Sequence, residues 1–257
     1  MTPGGRTSKN LLRVGLIVVP ALSYESAVRF GALDSFTFIP LSEMLRSMAD
    51  LMTDDDFLAD ALIPSLTNII LAIAIAGVLG VLVGILLWKV EPLYKATQPY
   101  LLLYYAIPTF ALYPLFIVLF GVGRTAIVSL AVLFAVVIVI ANTALGLRGT
   151  RRVWVKVGDA MSLSPWQMFR HIYLPAAWPS IFTGLRLAVS YSVITVIATE
   201  FILATAGLGH EIAFAYNNFD IYTMYGAILL VVVAVVAINM MLSYLQSRIY
   251  SRELEGK

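Results

Sequence analysis

Glu200 stands inside an apolar run, Ile181–Ala204, that is long enough to cross a bilayer. A carboxylate at membrane depth costs roughly 2.5–3.5 kcal/mol on insertion scales unless it faces protein or water. Two kinds of chemistry suit it. It can line or gate a solute route, or it can tie a helix bundle together through bonds to backbone and hydroxyl groups. A negative charge repels an anionic solute unless it is protonated or paired, which favours the tying or gating role. A second group is aromatic. Tyr94 and Tyr100 suit an interfacial belt, whereas Tyr104, Tyr105 and Phe110 lie deeper, around Pro108, where tyrosines can stack on a planar organic solute. His171 and His210 are isolated in sequence, so no metal-ligand set is expected, and the absence of cysteine excludes a thiolate site or a cysteine nucleophile.

The elements that must position these residues follow from composition. The 257-residue chain is 60% hydrophobic and 12% charged, with a mean hydropathy of +0.90. Soluble domains carry about 45–50% apolar and about 25% charged residues, so a water-soluble globule, a disordered chain and a nucleic-acid-binding domain are all excluded. The composition implies an all-α polytopic membrane protein of about six transmembrane helices, each needing about 20 apolar residues. The candidate spans are Leu11–Ala32, Leu66–Trp88, Tyr100–Phe120, Ala126–Leu147, Ile181–Ala204 and Tyr222–Leu245. The basic start (Arg6, Lys9, Arg13) resembles a signal peptide, but no small-residue cleavage site follows, and the run reads as an uncleaved first span. Pro108 and Pro114 are expected to kink the third.

Charge sets the expected orientation. With a cytoplasmic N-terminus, 14 of the 17 Lys and Arg residues fall inside, leaving Arg29, Arg46 and Arg124 outside with the cluster Asp50, Asp54, Asp55, Asp56 and Asp60. That is a strong positive-inside signal, with both termini cytoplasmic. The chain then divides into a cytoplasmic segment 1–10, a transmembrane domain 11–248 and a cytoplasmic tail 249–257. The external loop 34–64 reads as a short amphipathic surface helix, with Ser42 or Asp54–Asp56 available for capping.

The cytoplasmic loop 148–179 carries the most specific pattern. Ser164 followed by Pro165 is an N-cap and first-turn pair, and Leu174-Pro175 is expected to end the helix. Met168, Phe169 and Ile172 then share one apolar face, outside any bilayer span, that suits a groove on a partner. The plain alternative is an interfacial helix packed under its own bundle.

This loop resembles the coupling loop of the transmembrane subunits of bacterial ATP-binding-cassette importers. That family's signature is Glu-Ala-Ala, three residues, Gly, nine residues, Ile, one residue, Leu-Pro. Ile172, Leu174 and Pro175 match; the glycine position falls on Ser162 and the acidic start on Lys156-Val157-Gly158, both departures. Further along, Trp166-Gln167, Phe169-Arg170, Thr183-Gly184-Leu185-Arg186, Ala198-Thr199-Glu200 and Gly207-Leu208-Gly209 are similar to the branch importing nitrate, taurine, aliphatic sulfonates and bicarbonate. So are Ala106-Ile107-Pro108, Ala111-Leu112-Tyr113-Pro114 and Phe120-Gly121-Val122-Gly123. The resemblance covers roughly residues 38–242.

The resemblance implies the type I importer permease fold in a bacterial inner membrane. It implies a homodimer working with two ATP-binding subunits and an extracytoplasmic binding protein, surrounded by membrane lipid and with no nucleic-acid partner. The ATPase-coupling residues are then Ser162, Leu163, Ser164, Pro165, Trp166, Met168, Phe169, Arg170, Ile172, Leu174 and Pro175. The pathway or gate residues are Tyr105, Pro108, Phe110, Tyr113 and Glu200. No cofactor is expected in this chain, since it lacks a Gly-x-x-x-x-Gly-Lys-Ser/Thr loop, and ATP and Mg belong to the partner ATPase. The expected cargo is a small anion (sulfonate, taurine, nitrate, bicarbonate) or a small planar organic nutrient. A membrane-embedded enzyme would need converging polar groups at depth, and a secondary transporter would need coupling-ion ligands and repeat symmetry; neither feature is apparent.

Overall fold

The computed structural model describes residues 4–34, 36–104 and 109–255. Among them the chain is helical, in the order α1 (Gly4–Arg29), α2 (Leu41–Leu51), α3 (Asp55–Phe57), α4 (Ile63–Lys89), α5 (Glu91–Leu103), α6 (Tyr113–Phe120), α7 (Arg124–Arg148), α8 (Arg152–Ala160), α9 (Pro165–Met168), α10 (Leu174–Leu203), α11 (Leu208–Asn217) and α12 (Ile221–Glu255). Four continuous helical stretches are long and apolar enough to cross a membrane: Asp55–Lys89, Arg124–Arg148, Pro165–Ile202 and Ile221–Tyr244. They contain the second and fourth expected spans and all but the last one or two residues of the fifth and sixth. Helix α1 covers most of the first.

The third expected span is interrupted. Helix α5 ends at Leu103, a 3-10 turn occupies Thr109–Leu112, and α6 starts afresh at Tyr113 with Pro114 in its first turn. A proline lacks the N–H of the helical ladder and its ring opposes the carbonyl four residues back, so Pro114 fits a helix start better than a helix interior. Tyr105 and Pro108 lie outside the described residues.

Two π turns have a shared cause. Leu58–Leu62 joins α3 to α4, and Phe169–Tyr173 joins α9 to α10; each is followed by one residue and then a proline, Pro64 or Pro175. The wider turn is formed by Ile63 N–H donating to Leu58 O and Leu174 N–H donating to Phe169 O. It absorbs the register that the proline cannot satisfy, so the helix continues. The expectation that Leu174-Pro175 ends the coupling helix is therefore corrected: Pro165–Ile202 is one unbroken helical rod.

Helix α7 lies between α4 and α10 and forms the centre of the bundle. Its close approach to α4 needs glycine, since a Cβ at Gly84 would sit 2.5 Å from Thr143 Cβ, and one at Gly80 would overlap Val139. Such seams suit membrane helices, whose association rests on packing because lipid is as apolar as a side chain. Leu130, Ala131 and Val196 are fully buried there. A second tier packs α2 along α12, with Ser47 Oγ donating to Tyr222 O at 2.7 Å. The amphipathic helix expected in the first loop is α2, and Asp54, not Ser42, is the cap nearby: its carboxylate accepts from Asp56 and Phe57 N–H at the start of α3. Ser42 instead bonds Glu25 and Arg29 of α1.

Candidate functional site

Two clusters sit at opposite ends of the rod that includes α10. At one end α8 turns into α9 through Ser162, whose φ of +54° is left-handed. That is the conformation glycine adopts without steric cost, so Ser162 occupies the geometry of the missing glycine while carrying a Cβ. Ser164 then caps α9: its hydroxyl accepts from Gln167 N–H, and the Gln167 side chain accepts from Ser164 N–H. Gly158 sits against this turn with no room for a side chain, because a Cβ there would strike Ile172 Cδ1 at 2.5 Å and overlap Met168 Sδ.

The expected exposed face is thereby rearranged. Met168 is 9% exposed, and Phe169 packs beneath the bundle with its ring 5.8 Å from that of Trp88, which also meets Tyr173 at 4.8 Å. The reason is the π turn, which rotates the residues after Met168 toward α4. Ile172 and Leu174 are half-buried, whereas Ser162, Ser164, Pro165, Arg170 and Pro175 are exposed and Leu163 is intermediate. The exposed apolar surface at this end is built from Val153, Val157, Met161 (67% exposed) and Trp166 (66%). The helical spacing of Val153, Val157 and Met161 carried that signal in the sequence.

At the other end Glu200 is fully buried. Its Oε2 accepts from Ser65 Oγ at 2.5 Å and from Gly209 N–H at 3.3 Å; Oε1 accepts from Asn68 Nδ2 at 3.0 Å. Ser65 Oγ in turn accepts from Leu208 N–H at 2.7 Å, and Asn68 Oδ1 accepts from Arg124 Nε at 3.0 Å. Asn68 thus bridges a carboxylate to a guanidinium. Gly207 closes the node: its N–H donates to Asp60 O at 2.9 Å, its φ is +109°, and a Cβ there would lie 2.5 Å from the Glu200 carboxyl carbon. The node joins α4, α7, α10 and α11. A cavity of about 280 Å³ beside it is lined by Asn68, Arg124, Thr67 and Thr205, among others.

Tyr113 is 1% exposed in the α4–α7 core, and its hydroxyl has no hydrogen-bond partner among the described residues. Tyr104 donates to Leu133 O at 2.8 Å, and its ring lies 5.2 Å from that of Phe134, tilted by 42°. Phe110 lies on the 3-10 turn, but its side chain is outside the described set. Glu200 and Tyr113 are buried within this chain, and the bonds of Glu200 tie α10 to α4 and α11. Sequence reasoning misses Ser65 and Asn68, which bond Glu200, and Arg124, which bonds Asn68. Only an Asn one helical turn after a Ser near the start of an apolar span hinted at them.

The architecture defines a multi-pass, all-helical membrane subunit. The chain belongs to the family described as binding-protein-dependent transport system inner membrane component, whose model matches residues 57–254. It is similar to a probable ABC transporter permease of Haemophilus influenzae, at 28% identity over 88% of this chain and 90% of that protein. It is also similar to the nitrate import permease NrtB of Synechocystis, at 27% identity over 74% of this chain and 69% of that protein. At 32% identity it resembles shorter stretches (62% and 53%) of the formylaminopyrimidine permease ThiX of Halalkalibacterium halodurans and the taurine permease TauC of Escherichia coli. A chain of the inward-facing MetNI methionine ABC transporter shares the fold, with a TM-score of 0.63 at 20% identity over 73% of this chain and 94% of that one. The chain is a transport subunit, a permease component of an ABC importer for small solutes, rather than an enzyme.

Proposed function

We propose that this permease receives ATP-driven motion at its α8–α9 end and gates its solute route at the Glu200 end. The observation that carries the reading is the continuity of Pro165–Ile202 through the π turn. At 1.5 Å per residue, α10 alone spans roughly 45 Å, so a push at α9 reaches the Glu200 node through a single rod. The segment 161–175 seats on a separate ATP-binding subunit, with Met161 and Trp166 as the apolar contacts. ATP and Mg are bound there and not in this chain. Two copies form the pathway, and an extracytoplasmic binding protein delivers the solute on the Glu200 side, with both termini in the cytoplasm of a bacterium. The cargo is a small anion or a small planar nutrient, in keeping with the nitrate, taurine and formylaminopyrimidine names of relatives.

The test is a pair of substitutions. Trp166→Asp puts a charge into the proposed contact from an exposed position, at the loss of a ring contact with Phe169 (5.9 Å between centroids) that is worth about 0.5–1.5 kcal/mol. It is expected to abolish co-purification of the ATP-binding subunit while leaving the oligomeric state unchanged and lowering thermal stability less than Phe169→Asp does. Phe169→Asp strikes the Trp88 packing instead and is expected to lower stability. Retention of the ATPase and wild-type uptake by Trp166→Asp would overturn the coupling assignment.

A further inference from the structure

A second cavity, of about 500 Å³, opens at the α8 end, between α8 and the terminal turns of α4 and α7. Its charge is unbalanced. Arg152 and Lys156, one turn apart on α8, both line it, and Arg148 lines it from the end of α7. Its one acidic lining residue is Glu91, which is engaged by Arg148 and, at 3.4 Å, by Lys95. Arg148 is further held over the Tyr94 ring, 3.8 Å from its centroid. Arg152 and Lys156 have no carboxylate partner among the described residues, and like charges one turn apart repel unless an anion lies between them. The remaining wall is apolar and aromatic, made by Trp88, Leu147 and Tyr173. Trp88 and Leu147 are the penultimate residues of two membrane-crossing helices, each ending in a basic residue, Lys89 or Arg148. The cavity therefore sits at the depth where hydrocarbon gives way to headgroups.

We propose that this cavity binds the phosphate of an anionic phospholipid, with Arg152 and Lys156 holding the phosphoryl oxygens and the half-buried Trp88–Tyr173 wall holding the glycerol and first acyl carbons. Basic pockets between membrane helices favour anionic headgroups, and an apolar wall adds an attraction that free phosphate cannot use. The site is independent of the coupling reading, because the lipid is bound by this chain alone.

The test uses the full-length chain in phosphatidylcholine nanodiscs doped with phosphatidylglycerol, transferred to detergent, with retained lipid counted by native mass spectrometry. Wild type is expected to retain phosphatidylglycerol in preference to phosphatidylcholine. Arg152→Gln combined with Lys156→Gln lowers that retention on the order of tenfold, as loss of two near-surface cations requires. Lys156→Gln alone, at an exposed position, gives an intermediate loss, and Arg170→Gln, at the same end but outside the cavity, changes it by less than about twofold. Equal retention by wild type and the double variant would overturn the proposal. So would displacement by equimolar inorganic phosphate, which would make the site a free-anion site. Expulsion of the lipid one-for-one by the ATP-binding subunit would likewise assign the cavity to that protein's acidic side chains.

Discussion

Glu200 is held by three donors from two other helices, and the number of donors decides what each substitution does. Leucine removes both oxygens and leaves the buried Ser65 hydroxyl, Asn68 amide and Gly209 N–H without their acceptor, at about 1–3 kcal/mol for each unsatisfied group. Glutamine keeps one acceptor and can pair with a flipped Asn68, at the expense of the Arg124 bond. Glu200→Gln should fold with a modestly lowered melting temperature and partial uptake, and Glu200→Leu should be grossly unstable. Equal stability of the two in detergent would contradict the node. Ser162 makes the reverse case. A non-glycine residue at φ +54° carries strain that glycine lacks, so Ser162→Gly should stabilise the permease by about 0.5–1 kcal/mol, read as a raised melting temperature. The importance of Glu200 was legible because a lone carboxylate in an apolar run is conspicuous. Its partners were not, because Ser65 and Asn68 lie over 130 residues away and only the packing of α4 on α10 brings them together.

Among elements, the prolines show where local rules stop. Pro175 predicts a helix end, yet the π turn before it lets the helix run on, and the same device precedes Pro64. The local sequence carries the proline but not the tertiary packing, here Phe169 against Trp88, that holds the wide turn in place. Helix α5 is tied to α7 by Glu91 and Arg148, a link that periodicity does not reveal. The Arg148 guanidinium, with help from Lys95, holds the Glu91 carboxyl below its ordinary range. Its folded pKa therefore lies below the unfolded one. The stability it contributes is full above the unfolded carboxylate range and is lost as pH falls through the lowered folded value. The α5–α7 junction should loosen below about pH 4, the ordinary Glu range. Because the pair is exposed, the effect should be small and should fade with salt. Hydrogen exchange at α5 against pH should show this step in wild type and not in Glu91→Gln. Identical profiles would remove the pair from the account.

For the whole molecule, run length was the informative feature. Apolar runs located four membrane-crossing helices, since a span needs little beyond length and hydropathy. Hydropathy alone runs Tyr100–Phe120 together as one span, because it does not register a missing N–H; Pro114 marks the break, as the start of α6 and not as a kink within a helix. The separation of the two clusters along α10 emerged only from the three-dimensional arrangement. Because the chain has no cysteine, that separation can be measured directly. Met161→Cys and Thr205→Cys, each a single exposed thiol at opposite ends of the rod, would be coupled to a photo-crosslinker in the assembled transporter. Met161→Cys is expected to capture the ATP-binding subunit in a yield that changes with ATP, and Thr205→Cys to capture the binding protein and never the ATPase. Capture of the ATPase at Thr205→Cys, or an active complex with none captured at Met161→Cys, would overturn the assignment of the two ends.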